Sequence, residues 1–291
     1  LNKPLQAVLD LLDLEPIEVN LFRGQSPKEE RQRVFGGQVL AQALVAADRT
    51  VEDRLAHSFH AYFLRPGDPA VPILYDVDRI RDGKSFTTRR VKAIQHGRAI
   101  FNMSVSFQVV EAGLEHQMPM PAAPSPDDLP TMKQQEAVLI ESAPPEFKSW
   151  FGREHAFEER VVDPINWFAP QKRDPHQQVW IRTNGKLPDE PALHQALLAY
   201  LSDMSLLDTS SMPHGVSYFD SGMQIASLDH AMWFHRPFRT DDWLLYETDS
   251  PSTSNARGFN RGTLYARDGT LVASVVQEGL IRQAPANRVK A

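Results

Sequence analysis

The sequence predicts an α+β protein in which one unit, a long helix followed by antiparallel strands, is written twice in tandem. Three observations predict it. Two helix-period patterns are each followed by strand patterns, a proline-rich stretch divides the two sets, and the sets share residues in register.

The first unit opens with Phe35-Gly36-Gly37. In residues 38–48, Leu40, Ala43, Leu44 and Ala47 keep the i, i+3, i+4, i+7 spacing of an amphipathic helix. Strand patterns follow at 57–64, 73–80, 85–95 and 98–109. His96-Gly97 reads as the tight turn between the last two.

Pro119, Pro121, Pro124, Pro126 and Pro130 then fall close together. Proline at that density continues neither a helix nor an interior strand, so the stretch reads as an extended linker. A short helix is expected over 131–142, stopped by Pro144 and Pro145. The expected division is 1–115 for the first unit, 116–148 for the linker and 149–291 for the second unit.

The second unit repeats the plan. Leu193, Ala196, Leu197, Tyr200 and Leu201 mark its helix, and strands are expected at 224–234, 243–249, 256–266 and 270–280. Asp268-Gly269 is its tight turn. Tyr62-Phe63-Leu64-Arg65-Pro66 matches Trp233-Phe234-His235-Arg236-Pro237. The same register carries Leu74-Tyr75 onto Leu245-Tyr246 and Arg90 onto Arg261. One inserted residue later, Gly97 falls on Gly269. In each unit the helix is the available cover for the apolar face of its sheet.

Composition narrows the function. Hydrophobic residues at 42% and charged residues at 23% are the balance of a globular protein, not of a disordered one. The net charge of −6, without a basic block, argues against a nucleic-acid surface. With no cysteine there is no disulfide, no thiolate nucleophile and no Cys-ligated zinc. Residues 1–14 lack the unbroken apolar core of a signal peptide, and no apolar run reaches the ~18 residues of a membrane span. The final Val289-Lys290-Ala291 is not a peroxisomal address. The expectation is a cytoplasmic protein without a membrane partner.

Among residues able to do chemistry, Asp203 lies three after Tyr200 and seven after Ala196, on the apolar face of the second helix. A buried carboxylate there would be a strengthened base. A fraying helix end in solvent is the alternative, and periodicity leaves both open. Ser227 precedes Leu228-Asp229-His230, and its hydroxyl could both donate and accept. Gln277 shares a strand face with Val275 and Ala273. Taken alone, Ser227 fits a core or edge role better and Gln277 an exposed strand end. No Gly-x-Ser-x-Gly elbow and no His-Glu-x-x-His spacing occurs.

Five stretches carry a family resemblance. They are Leu21-Phe22-Arg23-Gly24-Gln25, Val34-Phe35-Gly36-Gly37-Gln38, the run from His57 to Asp68, the run from Leu228 to Pro237, and Val276-Gln277-Glu278-Gly279. Together they resemble the bacterial type II, TesB-like acyl-CoA thioesterases and their peroxisomal relatives, in the family's order and over most of the chain. The resemblance implies a tandem double hotdog fold and hydrolysis of acyl-CoA without a cofactor or metal. It implies a homo-oligomer, a dimer or tetramer of double hotdogs. It puts the catalytic aspartate at Asp203, with Ser227 and Gln277 beside it to hold a water. No acyl-enzyme is expected.

The first unit has Ala46 where the second has Asp203, so one active centre per chain is expected, built mainly from the second unit. The glycines at 36 and 37 are attractive as the approach to oxyanion-binding N–H groups. His57 is an auxiliary at most. His60, His230 and His235 read as structural, as do Arg65 and Arg236, which recur in both units. Two rivals stay open: an enoyl-CoA hydratase or dehydratase on the same scaffold, and a non-catalytic acyl-CoA-binding sensor.

Overall fold

The computed structural model describes residues 1–27, 32–149, 151–220 and 222–283. The C-terminal tripeptide read above lies outside them. In chain order the elements are α1 (Lys3–Leu12), β1 (Glu15–Glu18), β2 (Leu21–Gly24), α2 (Gly36–Asp48), β3 (Leu55–Phe63), β4 (Ile73–Asp82), β5 (Phe86–Gln95) and β6 (Arg98–Gln108). Then come α3 (Met132–Ser142), α4 (Pro145–Lys148), β7 (Phe157–Val161), β8 (His176–Thr183), α5 (Pro191–Ser202), β9 (Met223–Ser227), β10 (Asp229–Phe234), β11 (Leu244–Ser254), β12 (Arg257–Ala266) and β13 (Leu271–Gln283).

All the strands join one antiparallel sheet. Its order is β1-β2-β4-β5-β6-β3-β10-β13-β12-β11-β8-β7, with β9 added on β13. Read outward from the β3–β10 pair, the order is a palindrome of equivalent strands. The register at the centre carries the same symmetry. His60 faces Ala231, and those two residues are repeat counterparts. A pseudo-twofold axis therefore passes between them.

The repeat holds in side chains too. Arg90 donates to Asp78 at 2.8 Å, and Arg261 donates to Asp249 at 2.8 and 2.6 Å. Arg65 donates to the carbonyl of Ala99, and Arg236 to that of Leu271, its counterpart. Both arginines thus hold the ends of equivalent strands. Gly97 and Gly269 both take positive φ, at 70° and 89°, as the tight turns require.

The central helices α2 and α5 pack against each other inside the curled sheet. Nearly every residue of α2 is buried, including Gln38 and Gln42. A helix apolar on all sides belongs in a core. Its buried amides are satisfied: Gln42 donates to the carbonyls of Leu11 and Gln25 and accepts from Tyr75 Oη. Pro191 starts α5 at a position where its missing N–H costs nothing.

The structure corrects the sequence reading in places. Residues 224–234 are two strands, β9 and β10, broken at Leu228. Helix α1 went unread, although Asn2 Oδ1 caps it by accepting from the N–H of Leu5 at 2.9 Å. The short strands β1, β2, β7 and β8 at the sheet's two edges also went unread. The helix expected at 131–142 is α3, with a Thr131–Gln134 capping box.

Gly37 lies where the two central helices meet. A Cβ there would strike the Tyr200 carbonyl oxygen and stand 2.5 Å from the Phe35 ring. Gly37→Ala is expected to cost about 1–3 kcal/mol by overpacking. Urea denaturation of the variant beside the parent chain measures it.

Candidate active site

The second central helix ends where the first begins. Asp203 is the residue that closes α5, with φ −90° and ψ −3°. Its side chain is 4% exposed, which rules out the fraying end in solvent. Gly36 opens α2 opposite it. A Cβ on Gly36 would lie 2.6 Å from Asp203 Oδ2 and 3.1 Å from the Phe63 ring. Only glycine lets the helix start come this close.

Four groups surround the carboxylate. Gln277 Nε2 donates to Asp203 Oδ1 at 2.5 Å, and Ser227 Oγ donates to the same oxygen at 3.3 Å. The N–H of Gly37 donates to the carboxylate as well. His230 Nδ1 stands 3.9 Å from Oδ1. Asp203, Ser227 and Gln277 are thus brought together, from a helix end and two strands. His57 is not: its Nε2 meets Ser106 Oγ at 2.8 Å and its ring meets Phe86 edge-on.

Burial pushes the Asp203 carboxyl from 3.8 up to about 6, against the hydrogen bonds from Gln277, Gly37 and Ser227, which pull it down. The helix ends act with opposite sign here. The C-terminus of α5 disfavours a negative charge, and the N-terminus of α2 favours it. Burial also pushes the His230 imidazole down to about 3, so the ring is neutral at pH 7. Its Nε2 meets Ser202 Oγ at 3.0 Å. Gln277 Oε1 and His230 Nδ1 are buried and have no hydrogen-bond partner among the described residues. The site holds an anionic base, a hydroxyl and two open acceptor or donor atoms. That set suits holding and deprotonating one water.

His230 is the site residue that sequence reasoning set aside. Its signal was the alternation of β10, in which His230, Met232 and Phe234 share the buried face. Residues 227 and 230 would lie on opposite faces of a regular strand. The break at Leu228 lets both reach Asp203. Two more carboxyls were missed. Burial raises Asp208 to about 8, helped by repulsion from Glu159 and Asp203, and it raises Glu159 to about 7.

With this geometry in view, comparisons with known proteins become informative. Residues 147–280 match the family described as acyl-CoA thioesterase, and residues 26–108 match the acyl-CoA thioesterase N-terminal domain. The chain belongs to the acyl-CoA thioesterase family. It is 41% identical to acyl-CoA thioesterase 2 of Haemophilus influenzae over 96% of this chain and 98% of the relative. It is 42% identical to acyl-coenzyme A thioesterase 8 of Mus musculus, over 96% and 89%. Among solved structures, the acyl-CoA thioesterase II TesB2 of Mycobacterium marinum is 44% identical, with a TM-score of 0.78, covering 96% of this chain and 99% of that one. A hot dog fold protein of Alicyclobacillus acidocaldarius, 20% identical, matches with a TM-score of 0.76 over 96% and 99%. The fold is a tandem double hotdog of the α+β class, each unit a long helix wrapped by antiparallel sheet. Among the described residues no helix is long and apolar enough to cross a membrane.

The raised carboxyl has a consequence for stability. A group whose pKa is higher in the folded state than in the unfolded one stabilises fully below the unfolded value, here near pH 4. That contribution is lost as pH rises through about 6. A difference of this size corresponds to about 3 kcal/mol. Asp203→Asn cannot ionise, so its stability relative to the parent should rise by about that amount between pH 4 and pH 8. Denaturant midpoints at the two pH values check this.

Proposed function

We propose that the chain hydrolyses acyl-CoA thioesters to free CoA and a carboxylic acid, with Asp203 as general base and no covalent intermediate. The observation that carries the reading is the buried Asp203 carboxylate, gripped by Gln277, Ser227 and the N–H of Gly37 at the start of α2. The curated relatives named as acyl-CoA thioesterases give the substrate class.

In this mechanism Ser227 and Gln277 orient a water beside Asp203. Gln277 already donates its NH2 to the carboxylate, which leaves Oε1 to accept from the water. Asp203 takes one proton as the water oxygen bonds to the thioester carbonyl carbon. The oxyanion that forms faces the positive end of α2. The tetrahedral intermediate collapses with rupture of the C–S bond, and the proton held by Asp203 goes to the departing sulfur. The acid product and the CoA thiol leave, and the carboxylate is restored.

One observation speaks for the hydratase rival. The structure sets His230 beside Asp203, as an Asp–His pair for hydration would need, rather than beside its sequence neighbour Asp229. Asp229 is engaged elsewhere, accepting from the N–H of Glu278 at 2.7 Å. A neutral His230 ring beside a raised Asp203 carboxyl fits either reaction, and it is the relatives named as acyl-CoA thioesterases that weigh for hydrolysis.

Asp203→Asn is expected to lower kcat for CoA release about 10²–10⁴-fold in a folded protein. A thiol reagent follows the release cleanly, because the chain has no cysteine. Near-normal turnover would remove Asp203 from the role. Hydration of a 2-enoyl-CoA without thiol release would favour the rival, and stoichiometric binding without turnover would make the chain a sensor.

For the parent chain, kcat should rise with pH around about 6, as Asp203 ionises. Gln277→Leu removes a hydrogen bond that favours the ionised form, so the midpoint should move upward. A pH–rate profile of the two proteins that shows no displacement would separate Gln277 from the base.

A further inference from the structure

The pseudo-twofold axis gives the catalytic site a counterpart. The register that carries Tyr62 onto Trp233 carries Ala56 onto Ser227 and Phe59 onto His230. After the inserted residue, Val105 falls on Gln277. Ala46 already stands for Asp203. Every one of the four counterparts is apolar and buried. The chemistry is gone from this half.

The space is not. A cavity of about 1000 Å³ opens beside Ala56, the one of the four counterparts that lines it. Ala56 and His57 line it, with Pro191, His194 and Gln195 from the start of α5 and Phe234, the repeat partner of Phe63. In the catalytic half, Phe63 packs at the start of α2 in the same way. The volume is that of a pocket for a sizeable organic ligand.

The two halves differ in what covers them. In the catalytic half, residues 203–228 run between α5 and β10. They include the 3₁₀ turn Leu207–His214, which packs on β11, β12 and β13. In the other half only residues 49–54 join α2 to β3. Among the described residues the counterpart pocket has no such cover.

Its lining is mixed. Ala56, Phe234 and Phe238 make it apolar within. Of the cations around it, Arg239 is paired with Asp189 and Asp241, Lys186 with Asp242, and Arg267 with Asp127. Arg182 is paired with Glu158. Arg236 donates to the carbonyls of Leu271 and His116 and has no carboxylate partner among the described residues. Glu111 and Asp268 also stand on the rim without a cation partner among the described residues, so Arg236 is the one lining arginine or lysine there whose charge no carboxylate matches; beside the apolar interior it is the place for a phosphate end.

We propose that this cavity is a second, non-catalytic site for acyl-CoA, with the acyl-pantetheine arm against Ala56 and Phe234 and a phosphate at Arg236. The proposal rests on the acyl-CoA reading of the catalytic site, and deepens it: the duplicated fold keeps two places for one ligand class and hydrolyses at one.

Isothermal titration of the whole chain with a non-hydrolysable acyl-CoA thioether tests it. Two equivalents per chain are expected. Ala266→Trp, on the cavity wall, should abolish the second equivalent. Arg236→Gln keeps donors for the two carbonyls but loses the charge, and should weaken that equivalent about tenfold or more. Both variants should release CoA at the parent rate when substrate is dilute, which also reports that they fold. One equivalent in the parent chain, or two that survive both variants, overturns the proposal. Free CoA that fills the second site as tightly as the thioether overturns the placing of the acyl arm. The Asp203 assignment fails by a different readout, turnover of Asp203→Asn, so the two failures are distinguishable.

Discussion

The pairing of β3 with β10 is the constraint on which the rest of the molecule depends. Five residues of each strand join there, with His60 opposite Ala231 at the centre. This contact makes one sheet of two units and fixes the pseudo-twofold axis. It also fixes the meeting of the central helices. The start of α2 arrives at the end of α5, and a carboxylate at one helix's C-terminus faces another's N-terminus. Shifting that register by one residue would turn every side chain of the strand to the other face and separate the groups around Asp203.

The site is an electrostatic compromise. Burial keeps bulk solvent from the Asp203 carboxylate, and the charged form suffers for it. Three hydrogen bonds and the positive end of α2 return part of the loss. The result is a carboxyl poised close to neutral pH, where a base is most useful. Asp208 and Glu159 are held back from ionising as well, each by burial and Asp208 also by repulsion from Glu159 and Asp203. A cluster of groups held back from ionising is costly to keep. Such clusters are a common mark of functional sites.

Duplication explains how one half could be specialised. Two equal sites would each need a buried acid and its partners. Here the first half has Ala46, Phe59 and Val105 buried at the equivalent places, all inside the core. Apolar residues there pack without desolvation cost. The second half carries the polar groups, and the long segment after α5 carries its own fit to the sheet. Gly258 and Gly279 leave room for Ser210 and Leu207 of the 3₁₀ turn, where any Cβ would collide.

Much of this was legible in the chain itself. The two helices, the main strands and the tandem repeat follow from residue period and from matched runs such as Tyr62 to Pro66 and Trp233 to Pro237. Those signals are local, and the sheet and helix periods are strict. Asp203, Ser227 and Gln277 were legible only through resemblance, because a lone serine or glutamine in a strand looks the same in a core as in a site. β1, β2 and β7 were too short to show a period, and β8 runs apolar through Val179, Trp180 and Ile181 without alternation. The break at Leu228 left no mark, since neither proline nor glycine stands there, and so His230 was set aside. What the tertiary structure alone decided is how far each group is from the others. Asp203 and Gln277 are distant in sequence yet 2.5 Å apart, and a cavity opens on the side of the other unit, where among the described residues only 49–54 join α2 to β3. Sequence pattern fixes which face a residue takes; only the closing of the sheet around two helices fixes what that face meets.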